Sequence, residues 1–169
     1  YHVVDGQQRL TTFAILMNEL ALFVQHAKEN HGKSDNEVLI GYESLKDIRA
    51  KYISKKRPPQ NMITTYLFGY EVDNPSADYL KYKVFGEPYG GTVLGTYYTR
   101  NLKPAKDCFE EELSRPYRVE VISGIERMFK KLTMQLMFTI HEIADDYDVF
   151  VAFETMNNRG KKLTNLELL

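Results

Sequence analysis

Val3-Val4-Asp5-Gly6-Gln7-Gln8-Arg9-Leu10-Thr11-Thr12 lies at the front of the chain, behind Tyr1-His2, and its reading decides the fold. Tyr1 to Val4 is short, aromatic and β-branched, which suits a strand. Asp5-Gly6 breaks it. A long apolar pattern follows, with Leu10, Phe13, Ala14, Met17, Leu20, Ala21 and Val24 at helical spacing. Ile15, Leu16, Leu22 and Phe23 add apolar surface on the remaining sides, so this helix is expected to be buried nearly all round. It fades at Asn30-His31-Gly32, where glycine and polar residues end it.

Outward from that helix the pattern alternates helices with a few short strands. Ser34-Asp35-Asn36-Glu37 has the Ser-x-x-Glu form of a capping box. It predicts a second helix with Val38, Tyr42, Leu45, Ile48 and Tyr52 inward, running to a basic end at Lys51, Lys55, Lys56 and Arg57. Met62 to Tyr70 reads as a strand closed by Asp73-Asn74-Pro75-Ser76, and Ser76 to Phe85 as a short helix. Gly86 to Thr96 is the most loop-like stretch. A third long helix begins near Thr99, with Leu102, Ala105, Phe109 and Leu113 inward. After Arg115-Pro116, a further helix carries Val119, Ile122, Ile125, Phe129 and Leu132, and Gln135 to Ile143 alternates like a strand. Asp145-Asp146 is placed to cap a helix from Tyr147 to Met156, and Thr164-Asn165-Leu166-Glu167 forms another capping box. The fold class is α+β, mostly helical with a few short strands.

The bulk numbers bound the function. A length of 169 residues supports one domain with its own core, here taken as residues 1–169. Hydrophobic content of 43% with 27% charge belongs to an ordinary globular protein, and no apolar run approaches the ~20 residues that span a bilayer, so no membrane role is expected. The single cysteine, Cys108, excludes an internal disulfide and fits a cytoplasmic protein. Twenty-two basic and 23 acidic residues leave a net charge of -1, so any nucleic-acid contact must be local.

Chemistry concentrates at the strand-to-helix junction. A helix start leaves backbone N–H groups unpaired and carries partial positive charge, so it favours phosphates. Gly6 lets the backbone turn and a ligand approach, and Arg9 adds a donor fork that fits phosphate oxygens. Gln7 and Gln8 can orient a phosphate or a water, Thr11 and Thr12 offer hydroxyls, and Asp5 can hold Mg²⁺ or polarise a water. The alternative is plainer: an aspartate before a helix that only caps it. A G-x-x-x-x-G-K-[ST] pattern is missing, so the junction is no P-loop. A second constellation, Phe153 to Thr164, holds Asn157, Asn158, Arg159, Gly160, Lys161 and Lys162. Arg159 and Lys161 could close over a phosphate held by the first motif, or the segment could simply join two helices. His141-Glu142 with Asp145-Asp146 matches no strong metal spacing, and Cys108 lacks an obvious base.

Val3 through Thr12 resembles the DGQQR signature of a prokaryotic family that includes the N-terminal domain of GmrSD-type (type IV, modification-dependent) restriction enzymes, long catalogued as a domain of unknown function. Phe153 to Leu163 and Asn165 to Leu169 resemble its second conserved stretch, so the resemblance spans the chain in family order. The resemblance implies a fold related to ParB/sulfiredoxin, here truncated and joined to a helical region. It implies nucleoside triphosphate hydrolysis (GTP, UTP or ATP, with Mg²⁺) coupled to sensing or cutting modified DNA, in restriction and phage defence. By position it assigns catalysis to Asp5, Gln7, Gln8 and Arg9, and phosphate binding to Gly6, Arg9, Thr11, Thr12, Asn158, Arg159, Gly160 and Lys161. Relatives usually carry strands ahead of DGQQR, and many carry a C-terminal HNH-type nuclease domain. Neither is found in this sequence. The reading therefore expects a fragment whose DNA contacts and nuclease partner belong to the full-length protein. Two other functions stay open: a non-catalytic nucleotide or phosphate switch, and a DNA-binding module built on Lys51 to Arg57 and Arg159 to Lys162.

Overall fold

A computed structural model describes residues 3, 5–57, 63–70, 74–88, 93, 95–96, 98–115, 121–142 and 151. The expected strand at 1–4 lies outside these residues apart from Val3. The constellation at 153–164 and the last capping box lie wholly outside them, and of the helix expected at 147–156 only Val151 is described, as helical.

Helix α1 runs Gln7–Gln25 and is the axis of the fold. Ala14, Ile15, Met17, Asn18, Glu19, Leu20 and Ala21 are all buried, which leaves little of the middle turns facing solvent. That burial on several sides is what the sequence implies, and it follows from packing against both helix α2 (Leu45–Tyr52) and helix α4 (Leu102–Ser114). Met17, Leu20 and Ala21 join Leu45 and Ile48 of α2 in the larger core cluster, with Ile125 and Phe129 of helix α5 (Val121–Lys130). Ile15 looks the other way, to Leu80, Val84 and Leu102. Burial of large aliphatic side chains at roughly 1.5–3 kcal/mol each makes α1 the element the others are organised around.

The segment between α1 and α2 departs from the sequence reading. Ser34 and Glu37 make one half of a capping box: the Ser34 N–H and hydroxyl both donate to Glu37 Oε2, at 2.9 and 2.7 Å, while the Glu37 N–H donates to the Ser34 carbonyl, at 2.9 Å, and not to its hydroxyl. The two hydrogen bonds to Oε2 hold the Glu37 carboxyl below its usual value. Yet the helix does not propagate. The chain makes one turn and enters a hairpin of β1 (Leu39–Ile40) and β2 (Glu43–Ser44), paired antiparallel around Gly41 at φ +62°. Helix α2 starts only at Leu45, where the Ser44 hydroxyl accepts the Asp47 N–H at 3.2 Å. Tyr42, expected inward, is therefore fully exposed on the hairpin turn. A local cap fixes one turn; Gly41 and the burial of Ile40 turn the next residues into a hairpin.

The basic end of α2 also divides. Lys51 is helical, but Lys55, Lys56 and Arg57 stand on strand β3 (Ser54–Arg57). This strand pairs antiparallel with β4 (Ile63–Tyr66) in register Ser54↔Tyr66, Lys55↔Thr65, Lys56↔Thr64 and Arg57↔Ile63. Of the strand expected from Met62 to Tyr70, residues 63–66 form it and residues 67–70 do not, while Met62 lies outside the described residues. Helix α3 (Pro75–Asp78), capped by the Asn74 side chain, continues as a π-helical turn through Val84, which agrees with the helix read there. A 3₁₀ turn at Tyr98–Asn101 leads into α4, and a π turn at Lys131–Gln135 extends α5.

Residues 136–142 form no strand, contrary to the alternation read at 135–143. Alternation gives a strand only where a neighbour takes its hydrogen bonds. Here the π turn consumes Gln135, no strand among the described residues pairs with the segment, and Met137 and Ile140 are exposed. With two separate two-stranded sheets among the described residues, the architecture is α+β and mostly helical. No helix among them is long and apolar enough to cross a membrane.

Candidate functional site at the start of helix α1

The DGQQR segment turns on Gly6, which sits at φ +90°, ψ +5° in the left-handed region. An L side chain there is strained, whereas glycine is not. The turn sends the chain into α1 at Gln7, and Gly6 keeps its carbonyl in the helix by accepting the Leu10 N–H at 3.0 Å.

Asp5 does not cap the helix. Its Oδ1 accepts the adjacent Gly6 N–H at 2.7 Å and its Oδ2 accepts from Arg9 Nη2 at 3.0 Å. α1 has no side-chain cap and no acidic residue in its first turn. Among the described residues the N–H groups of Gln7, Gln8 and Arg9 therefore meet no acceptor, which leaves the positive end of the dipole open to them. The plainer reading of Asp5 as a cap fails on this geometry. Asp5 and Arg9 are both solvent-accessible, with Arg9 the more exposed of the two, so the guanidinium is free to swing.

The amides and hydroxyls around the corner divide between outward and inward roles. Gln7 Nε2 donates back to the Val3 carbonyl at 2.6 Å, tying the incoming chain to the first turn. Gln8 is exposed, and the Thr12 hydroxyl donates to the Gln8 carbonyl at 2.8 Å. Thr11 is only 4% exposed; its hydroxyl donates to the Gln7 carbonyl at 2.8 Å and lies 3.2 Å from the Tyr70 hydroxyl. Thr11 is thus committed to packing while Asp5, Gln8 and Arg9 face out. Tyr70 was missed by the sequence reading. A threonine on the buried face of a helix needs a partner, but nothing in the sequence says it comes from 59 residues away.

The structure brings Asp5, Gly6, Gln7, Gln8 and Arg9 together at one corner, with Thr11 and Thr12 one turn behind. Asn158, Arg159, Gly160 and Lys161 lie outside the described residues. Among the described residues no group of three or more His, Cys, Asp or Glu could hold a metal. A Mg²⁺ at Asp5 would need most of its oxygens from a ligand and water, which is how Mg²⁺ is commonly held beside phosphates. His141 and Glu142 are exposed and gather no such group, and Cys108 is exposed on α4.

A cavity of about 280 Å³ is lined by residues that include Phe23, Val24, Leu39, Ile40 and Ile125. It lies by the C-terminal end of α1, about 24 Å along the axis from Gln7 at 1.5 Å per residue. It is a separate feature from the corner.

Among known proteins, the family described as GmrSD restriction endonuclease, N-terminal domain, matches residues 1–169. No curated protein and no solved structure matches. With the match covering the whole chain and the DGQQR corner formed as a glycine-hinged helix start, the chain belongs to the family of GmrSD restriction endonuclease N-terminal domains.

Proposed function

We propose that the Asp5–Arg9 corner binds the phosphates of a Mg²⁺-bound nucleoside triphosphate (GTP, UTP or ATP) and supports its hydrolysis. In this reading the turnover regulates a DNA-restriction nuclease in phage defence. The observation that carries it is the uncapped start of α1, entered through a left-handed glycine and flanked by an exposed arginine and carboxylate. The open N–H groups would take the phosphate oxygens, and Arg9 would leave Asp5 to add a bidentate contact. Asp5, released, would hold Mg²⁺ through one oxygen while phosphates and water fill the remaining positions. Gln7 and Gln8 would orient the attacking water. Arg159 and Lys161 would close over the phosphates, and the DNA and an HNH-type nuclease domain would be engaged by the full-length protein. In this reading the domain is related to ParB/sulfiredoxin, with the phosphates held at the start of α1.

One observation favours a second reading, in which the site binds nucleotide as a switch without turning it over. Both Asp5 oxygens are engaged, one by the Gly6 N–H and one by Arg9, and no other carboxylate stands in the first turn to act as base. Phosphate release from GTP, UTP and ATP with Mg²⁺ separates the two. Hydrolysis by the wild type that is lost in Asp5→Ala and Arg9→Ala supports the enzyme. Tight binding with no release supports the switch, and wild-type turnover in both variants overturns the assignment of the corner.

A further inference from the structure

We infer that the β3–β4 ribbon is a docking surface for the sugar-phosphate backbone of duplex DNA, with Lys55 and Lys56 as its contacts. This inference is independent of the nucleotide reading, because no residue of the Asp5–Arg9 corner takes part.

The local charge is unlike that of the chain. From Leu45 to Arg57 six lysines and arginines stand against one carboxylate, Asp47, in a protein whose net charge is -1. The cations on α2 are partly neutralised: Arg49 Nε lies 3.1 Å from Asp35 Oδ2, and Lys51 Nζ lies 3.3 Å from Glu43 Oε1. Lys55 and Lys56 are exposed, and among the described residues neither makes an ion pair. Had they continued α2, they would be ordinary cations complementing a helix C-terminus. On a strand they serve no dipole, and successive side chains point to opposite faces, so the ribbon presents positive charge on both sides.

The ribbon is also held firmly at its root. Ile53, just before β3, is buried in the main core, and its carbonyl accepts the Leu67 N–H at 2.9 Å. Tyr66, opposite Ser54, stacks on Phe85 with ring centroids 4.7 Å apart and planes 11° from parallel. Away from that anchor the lysines are flanked by Thr64 and Thr65, whose hydroxyls can donate to phosphate oxygens. A two-stranded antiparallel ribbon has the width that the major groove of B-form DNA admits. Charge complementarity and width together select duplex DNA over an acidic protein face, which would not need a two-stranded ribbon with cations on both faces.

The test is binding of the protein to a fluorescent duplex of mixed sequence at several salt concentrations. Each lysine that neutralises a phosphate adds about one to the slope of log K against log salt. The expected result is salt-dependent binding that weakens about tenfold or more near ~100 mM salt in Lys55→Gln/Lys56→Gln, with a slope smaller by about two. Lys55→Arg/Lys56→Arg should restore both quantities, and the thermal transition of all three should coincide, because both positions are exposed. Wild-type binding and slope in the double glutamine variant would overturn the inference. So would the absence of duplex binding at ~50 mM salt, or stronger binding of single-stranded RNA than of the duplex.

Discussion

Arg9 Nη2 lies 3.0 Å from Asp5 Oδ2 across one turn, while the other oxygen of the same carboxylate holds the Gly6 N–H at 2.7 Å. The pair closes a ring over the left-handed glycine and occupies the groups that a phosphate would claim. In the proposed function, a phosphate arriving at the start of α1 would compete with Asp5 for Arg9.

An exposed ion pair of this kind contributes at most about 1 kcal/mol to stability. Asp5→Asn and Arg9→Gln should therefore lower the thermal midpoint by no more than about 2–4 °C. Calorimetric scans of the two variants check this. A drop well beyond that range would mean the pair holds the fold together, and a lost activity in either variant could no longer be read as chemistry.

Gly6→Ala should cost about 1–2 kcal/mol, because an L residue at φ +90° is strained whatever space surrounds it. Among the described residues a Cβ there would meet the flexible end of Arg9, at 3.6 Å. Gly6→Asn should fold better than Gly6→Val, since asparagine tolerates the left-handed region and a β-branched residue does not. Equal midpoints for the asparagine and valine variants would contradict the left-handed turn.

Leu45 is completely buried and Tyr42 is fully exposed, three residues before it. Leu45→Ala should cost about 2–5 kcal/mol as a core truncation. Tyr42→Ala should fall within about 0.5 kcal/mol of the wild type. Urea denaturation of both variants distinguishes the hairpin from a continuous helix, in which both residues would point inward and both truncations would be costly.

Those two residues also mark how far the sequence could be read. The 3.6-residue period of α1 was legible because seven apolar positions from Leu10 to Val24 repeat it, and burial on several sides followed from the additional apolar residues between them. The segment from Ser34 to Tyr52 was not, because the same cap signature opens a single turn or a whole helix. The outcome rests on a glycine turn at Gly41 and on core contacts distant in sequence. The Gln135 to Ile143 alternation misled for the same reason: strand pairing is a property of two segments. At the corner, the residue types and the glycine break were visible from spacing. The Asp5–Arg9 ion pair and the Thr11–Tyr70 contact required coordinates.

Glu19 gives a pH-dependent test of the packing around α1. It is 4% exposed, and burial raises its carboxyl above the usual 4.5, while the Asn18 side chain, donating at 3.0 Å, and Lys106 partly offset the rise. Glu110 and Asp107 of α4 add to it. The folded chain thus holds this proton more tightly than the unfolded chain does. Stability from Glu19 is fully present below pH 4.5 and is lost as pH rises through the raised value. Glu19→Gln should therefore be more stable than the wild type at neutral pH, with the gap closing as pH falls to 4.5 and below. Thermal midpoints measured across that range check it. A variant less stable than the wild type at pH 7 would contradict the burial of an ionised carboxylate.

In the proposed function the start of α1 receives the phosphates of a nucleotide and Arg9 helps hold them. Calorimetric titration of the protein with non-hydrolysable GTP, UTP and ATP analogues and Mg²⁺, run beside Arg9→Ala, tests it most directly. Saturable binding of at least one analogue to the wild type is predicted, weakened about tenfold or more in Arg9→Ala as a charged hydrogen bond is lost. No binding of any analogue, or equal affinity in the wild type and Arg9→Ala, would contradict it.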